Sequence, residues 1–316
     1  MKDGILVLNK PQNWTSHDCV AVCRSVLGIK KIGHGGTLDP MACGVLPVFI
    51  GRATRIMEYT ELDEKTYRCT ARLGLTTDTQ DIWGTVLEQH DMGNLSAAAV
   101  GEALQSFRGE LEQIPPKYSA LKVKGKKLYE YAREGMDVEI KPRKVRISSL
   151  REERIDLDRK EVSFEVTCSK GTYIRTICSD LGERLGCGAV MSALTRTASG
   201  VFHLEGAINA EKLKEMECCE IEKQMLPVDV PLVHFGRILM HKDRAGYFCS
   251  GNAIRWNQVK VLEEPEIEAG DGKNGRGRDY CRMYKVYRID TGEFLGIGYC
   301  NAEKKLLEAD KIFMAK

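Results

Sequence analysis

The sequence predicts an α+β, or mixed α/β, fold. Three observations carry that reading: segments with two-residue alternation outnumber segments with helical spacing, the two kinds are interspersed, and no internal repeat or low-complexity tract interrupts them. With 316 residues, 43% hydrophobic and 29% charged, the chain can bury one large core or two.

The first element is the apolar run Ile5-Leu6-Val7-Leu8, a buried strand that Lys10-Pro11 closes because proline forces an extended backbone before it. Thr15-Ser16 offers a cap, and Val20, Cys23 and Leu27 recur at helical spacing before Gly28, predicting a helix over about 17–27. From Lys65 to Leu73 the chain alternates, with Tyr67, Cys69, Ala71 and Leu73 on one face and Thr66, Arg68, Thr70 and Arg72 on the other, so the polar face is expected to carry positive charge. Ser96 caps a helix at about 97–108, where Leu95 can staple onto Val100 and where Val100, Leu104 and Phe107 form the inward stripe. Val162, Phe164, Val166 and Cys168 alternate into Ser169-Lys170-Gly171. Thr172 is then expected to cap a helix that buries Ile174, Ile177, Cys178, Leu181 and Leu185 and ends at Gly186, with Tyr173 and Arg175 on its first turn.

Around 205–226 the composition turns acidic, six Glu against three Lys, and Pro227 and Pro231 follow. The expected boundary lies there, giving a first domain at 1–227 and a small β-rich module at 228–316. Within the module, Tyr284–Ile289 and Phe294–Tyr299 flank the turn signal Asp290-Thr291-Gly292-Glu293. The glycine-rich stretch Gly270–Gly277 is expected to be a mobile loop.

Lys plus Arg, 47, nearly balance Asp plus Glu, 45, for a net charge of +2. Nucleic-acid binding, if present, must therefore rest on local clustering. No apolar run approaches the roughly 18–20 residues that span a bilayer, and the opening residues are too short for a signal peptide, so the expected location is the cytoplasm. Twelve cysteines include no C-x-x-C pair, and in a reducing compartment they read as small hydrophobes.

The most unusual stretch is Gly33-His34-Gly35-Gly36-Thr37-Leu38-Asp39-Pro40-Met41-Ala42-Cys43-Gly44-Val45-Leu46-Pro47. Pro40 holds Asp39 out of the helical region, so a carboxylate is fixed in a glycine-lined concavity suited to a ligand backbone. The competing reading is an ordinary turn in which Asp39 caps a helix at Met41 and His34 is a surface histidine. The stretch lacks the lysine of a P-loop and the third glycine of a dinucleotide fingerprint, so neither ATP nor NAD is implied. His17, Cys19 and Cys23 make a poor metal set, because the apolar helix face already accounts for both cysteines. Thr77–Gly84 has the wrong spacing for a calcium loop and reads as Asx-type turns.

Residues 117–146 hold ten Lys or Arg against four acids, a local excess of six positive charges. Lysines there alternate with Tyr118, Tyr129 and Tyr131, offering phosphate contacts and stacking surfaces together. A solvated helix with snorkelling lysines is the alternative.

Gly33-His34-Gly35-Gly36-Thr37-Leu38-Asp39-Pro40, with Lys10-Pro11 before it and Tyr67-Arg68, Phe107-Arg108-Gly109, Tyr118-Ser119-Ala120-Leu121-Lys122, Gly171-Thr172-Tyr173-Ile174-Arg175 and Asp180-Leu181-Gly182 after it, closely resembles the bacterial tRNA pseudouridine-55 synthases of the TruB type. The resemblance runs in family order over about residues 4–205. It implies a catalytic domain built around a central, largely antiparallel sheet, with a C-terminal PUA-like RNA-binding module, and an activity that isomerises the uridine at position 55 of the tRNA T loop. The base-to-sugar bond breaks at nitrogen 1, uracil rotates, and the same sugar carbon joins carbon 5. Nothing is oxidised, hydrolysed or phosphorylated, so no cofactor is expected.

By the same resemblance Asp39 is the nucleophile or base, attacking the sugar or the uracil or removing a sugar proton. Arg175 pairs with it and orients it. Tyr67 stacks on the extruded uracil and assists the late loss of the carbon-5 proton. Tyr173 and Leu194 line the base pocket, and His34 contacts RNA near the vacancy left by the base. Lys10 supports the loop or a phosphate. Residues 117–146 become an RNA-gripping insertion, with Lys122, Lys124, Lys126 and Lys127 on the backbone. No second acid is expected beside Asp39, unlike a glycosidase. The implied partner is the tRNA T stem-loop, with no membrane, no obligatory protein partner and a monomeric chain. The rival readings are a guide-RNA-dependent or other-RNA pseudouridine synthase and an RNA-binding tRNA folding chaperone.

Overall fold

The computed structural model describes residues 3–62, 64–268, 270 and 272–314. Its strands and helices run, in order, β1 (Gly4–Lys10), α1 (Ser16–Leu27), β2 (Ile32–His34), β3 (Cys43–Ile50), β4 (Lys65–Leu73), β5 (Leu75–Thr77), β6 (Val86–Gln89), α2 (Ala97–Gln105), β7 (Gly109–Gln113), β8 (Lys122–Val123), β9 (Lys126–Lys127), α3 (Leu128–Arg133), β10 (Arg143–Asp156), β11 (Glu161–Cys168), α4 (Ile174–Arg184), β12 (Ala189–Ser199), β13 (Phe202–His203) and β14 (Ile208–Asn209). Beyond these lie α5 (Cys218–Lys223), β15 (Gly236–Met240), α6 (Lys242–Cys249), β16 (Ile254–Arg255), β17 (Val259–Glu263), β18 (Met283–Arg288), β19 (Phe294–Asn301) and β20 (Leu306–Ile312).

Ten strands form the main sheet, in the path β14-β1-β3-β12-β4-β11-β10-β7, with β2 on β3 and β13 on β12. Most pairs are antiparallel; β3 with β12 and β1 with β14 are parallel. The expected alternation of β4 holds, since Tyr67, Cys69, Ala71 and Leu73 are all buried. Its positive face is largely neutralised, because Arg68 pairs with Glu153 at 3.0 Å and Arg72 with Glu161 at 3.7 Å. One layer of helices covers the core face: Val100 and Leu104 of α2 and Ile177, Cys178 and Leu181 of α4 pack with the inward residues of β4 and β11. Phe107 completes that stripe from just beyond the end of α2.

Local chemistry explains the helix ends. Thr15 and Asp18 make a reciprocal capping box at the start of α1, and Gly28 closes it in the left-handed conformation at φ 65°. Cys19 and Cys23 point into the core under this helix, and burial pushes their thiols up to about 11 and about 12. The start of α4 departs from expectation. Tyr173, not Thr172, is the N-cap and no side chain of its own caps the helix. Gln113, at the end of β7, takes over: its Oε1 accepts from the Tyr173 amide at 2.7 Å and its Nε2 donates to the Tyr173 carbonyl at 3.0 Å. The Thr172 hydroxyl turns back to the Ser169 carbonyl at 2.9 Å. Gly182 lets α4 press on the chain entering β12, where a Cβ would stand 1.9 Å from the Ala189 nitrogen.

The C-terminal region forms a six-stranded sheet, β16-β20-β19-β18-β15-β17, that includes the expected hairpin of β18 and β19. It shares a core with the main sheet, since Ile5, Val45, Phe49 and Tyr59 pack with Phe235, Tyr280 and Phe313. The expected mobile loop is pinned over its second half. Buried Asn274 accepts from the amides of Arg276 and Arg278 and donates to Asp310 at 3.1 Å, and Asp310 in turn receives the Tyr59 hydroxyl. A short polar side chain satisfying several backbone groups offsets the entropy that glycine adds.

Candidate active site

Strands β2, β3, β4 and β12, the start of α4 and the root of the basic insertion surround one cavity of about 520 Å³. His34, Asp39, Tyr67, Tyr173, Arg175 and Leu194 all line it, so residues spread over 161 positions of sequence converge there.

The loop that presents Asp39 is a turn, not a helix start, closed by the Ala42 amide on the Asp39 carbonyl at 3.0 Å. Ser16 fixes it from α1, its hydroxyl accepting from the Leu38 amide at 2.8 Å and donating to the Leu38 carbonyl at 3.2 Å. Lys10 holds it from below. That side chain is wholly buried and its ammonium donates to the carbonyls of Pro11, Trp14 and Pro40 at 2.9, 2.6 and 3.2 Å. Burial pushes the Lys10 ammonium below its usual range. The ammonium is thus placed for the first of the two roles expected of Lys10, support of the loop.

Arg175 leaves the first turn of α4 and meets Asp39 Oδ2 through Nε at 3.1 Å. Its own side chain is 6% exposed, whereas that of Asp39 is 40% exposed and open to the cavity. The other guanidinium nitrogens are engaged: Nη1 with the Thr79 carbonyl at 3.0 Å and Asp81 Oδ2 at 3.4 Å, Nη2 with the Tyr118 carbonyl at 3.0 Å. Among the described residues Asp39 is the one carboxylate in the cavity lining, and a second acid stands behind its arginine. Asp81, 2% exposed, faces the same arginine from the far side. The Asx turn expected in this stretch is present, since Asp81 Oδ1 accepts from the Thr79 hydroxyl at 2.8 Å and the Trp83 amide at 3.2 Å, which leaves Oδ2 for Arg175.

Tyr67 is 8% exposed, and burial pushes its hydroxyl up in pKa while neighbouring Arg196 opposes that rise. Arg196 is a residue that motif reading missed. It is fully buried on β12, donating through Nε to Val45 at 2.7 Å and through Nη2 to Gly36 at 3.0 Å. Period-two spacing from Leu194 would have placed it on the pocket face. Gly44 permits this approach, at φ 104°, where a Cβ would fall 2.2 Å from the Arg196 carbonyl oxygen. His34, on β2, is half-buried, and desolvation followed by the charge of Arg196 lowers its pKa, favouring neutral imidazole.

The basic insertion reaches the cavity at its root, where Ser119, Ala120 and Leu121 join the lining. Further out, β8 and β9 form a two-residue ribbon leading into α3. Lys122 and Lys124 are exposed. Lys126 lies over Tyr131 at 5.0 Å and pairs with Glu134, and Lys127 lies over Tyr129 at 5.3 Å. The four lysines expected to act alike therefore fall into two kinds, and Tyr129 and Tyr131 already carry cations on their rings.

The chain is similar to known proteins over nearly its full length. A family model described as TruB family pseudouridylate synthase (N terminal domain) matches residues 24–174, and the tRNA pseudouridylate synthase B C-terminal domain matches residues 175–233. The tRNA pseudouridine synthase B of Alkaliphilus oremlandii is 47% identical over 264 residues, covering 83% of this chain and 87% of that protein. That of Clostridioides difficile is 38% identical over 315 residues, 98% of this chain and 99% of that one. Among solved structures, a crystal structure of a Cbf5-Nop10-Gar1 complex superposes with a TM-score of 0.71 at 24% identity, covering 98% of this chain and 85% of that one, which shows the shared fold.

Fold and matched domains together are those of a pseudouridylate synthase. Within that class, the chain belongs to the TruB family, as the matched domains and the identity of its relatives show.

Proposed function

We propose that the protein isomerises uridine to pseudouridine in tRNA, at position 55 of the T loop, as a cytoplasmic monomer without an obligatory protein partner. The observation that carries the reading is the Asp39–Arg175 pair: a single solvent-open carboxylate, held at 3.1 Å by a buried guanidinium, at the mouth of a cavity walled by Tyr67, Tyr173 and Leu194. The relatives named tRNA pseudouridine synthase B support tRNA as the substrate. Among the described residues, no helix is long and apolar enough to cross a membrane.

In this reading Asp39 supplies the carboxylate that helps detach and hold the uracil, and Arg175 fixes its direction. Flat Tyr67 and Tyr173 and apolar Leu194 offset the few kcal/mol that unstacking a base costs. His34 stands at the rim, where RNA leaves a gap, and exposed Lys122 and Lys124 meet backbone phosphates. Residues 1–227 form the catalytic domain and 228–316 an accessory RNA-binding module. Modification mapping on unmodified tRNA transcripts tests this: wild type is expected to convert the T-loop uridine and Asp39→Asn to convert none. Conversion by Asp39→Asn at the wild-type rate would refute the assignment. Activity on a bare T stem-loop separates this reading from a guide-dependent enzyme.

A further inference from the structure

Arg196 is a fully buried cation with no carboxylate within ion-pair distance among the described residues. Buried charges are ordinarily paired, because taking one out of water costs several kcal/mol. Nε and Nη2 are spent on the carbonyls of Val45 and Gly36, and Nη1 has no hydrogen-bond partner. The register of β4 and β12 sets Arg196 directly opposite Tyr67, and opposite residues in an antiparallel pair share one face with their Cβ atoms about 5 Å apart. Both residues line the cavity. The charges that act on the Tyr67 hydroxyl come from Arg196 on β12, Asp39 on its loop and the Cys168 thiol on β11, and of these Arg196 is the cation.

We propose that Arg196 is a positioning residue for Tyr67, its free Nη1 donating to the phenolic oxygen and stabilising the phenolate that removes the carbon-5 proton. The inference rests on the role proposed above for Tyr67. In that step the tyrosine first releases its own proton to solvent. The C5–H bond of the rejoined base then breaks and its electron pair closes the C5–C6 double bond, while the C6–N1 double bond left by the rejoining opens onto N1, which takes a proton from solvent. The C5 proton passes to the phenolate oxygen, which returns to neutral tyrosine. Arg196 stands opposite Tyr67 in the sheet, whereas a phosphate would have to reach an atom with no exposed surface.

The test is single-turnover conversion of a tRNA transcript carrying uridine or 5-deuterouridine at the target position. Arg196→Gln is expected to slow conversion about 10- to 100-fold, the worth of a hydrogen bond to a charged group, with tRNA affinity unchanged and a larger isotope effect than wild type. Arg196→Lys, which keeps a cation, is expected to recover much of the rate. In a Tyr67→Phe background, Arg196→Gln should cost nothing further. An unchanged isotope effect, an equal loss in the Tyr67→Phe background, or a loss confined to tRNA affinity would overturn the inference, the last pointing to a phosphate contact. If Arg196→Gln does not fold, the same cycle is run with Arg196→Lys, where additivity would likewise overturn it. A wild-type protein that makes no pseudouridine in tRNA would instead bring down the functional reading itself.

Discussion

Replacing Asp81 by Asn probes the part of the site that lies behind the arginine. Asp81 Oδ2 and Arg175 Nη1 are 3.4 Å apart, with side chains 2% and 6% exposed. At an effective dielectric of about 20, opposite charges at that separation attract by about 5 kcal/mol. Breaking a buried pair by removing one partner costs about 3–5 kcal/mol, since the other charge stays buried. Here Arg175 keeps the Thr79 and Tyr118 carbonyls and the more exposed Asp39, so the lower end, about 3 kcal/mol, is expected. Urea denaturation of wild type and Asp81→Asn measures this, and single-turnover pseudouridine formation follows the same variant. The Asp39→Asn/Asp81→Asn double variant supplies the sharper readout. Two carboxylates on one guanidinium must couple, so the stability changes should depart from additivity by more than about 0.5 kcal/mol. Additive effects, or a loss below about 1 kcal/mol for Asp81→Asn alone, would refute the reasoning.

Salt dependence of tRNA affinity should separate the two kinds of lysine: Lys122→Gln and Lys124→Gln each flatten the log-log slope by about 0.7 per lost contact, whereas Lys126→Gln, already paired with Glu134, changes it less. Lys10→Met should lower stability by about 2–4 kcal/mol in urea titrations, because three carbonyls lose their donor, and should speed proteolysis of the Asp39 loop. His34 has a folded-state pKa below its usual 6.5, so its contribution to stability is fully present above 6.5 and is lost as pH falls through the lowered value. His34→Gln should therefore be less destabilised than wild type by acidification below pH 6.5, as measured by chemical denaturation at a series of pH values.

Much of this molecule was legible because its information is local. The capping box at Thr15 and Asp18, the alternation of β4 and the β18–β19 turn each depend on residues a few positions apart. The glycine-lined Asp39 loop was legible for the same reason, and the resemblance joined it to Tyr67, Tyr173, Arg175 and Leu194. The supports of that site were not legible. Gln113 caps α4 from 60 positions away, and Arg196 reaches Val45 across 151. Asp81 sits in a turn whose sequence explains one carboxylate oxygen and leaves the other unassigned. Lys10 shows the converse: its sequence left loop support and a phosphate contact both open, and only the three convergent carbonyls show how its burial is tolerated.

The core shared by the two sheets bears on how the chain can be divided. Phe235, Tyr280 and Phe313 are not packed against one another alone but against Ile5, Phe49 and Tyr59, and Asp310 of the last strand is where the Tyr59 hydroxyl ends. A chain cut at residue 227 would strip an apolar wall from the back of β1 and β3, the strands that frame the Asp39 loop. The C-terminal sheet thus completes the core behind β1 and β3, and its removal should be felt first at the catalytic end.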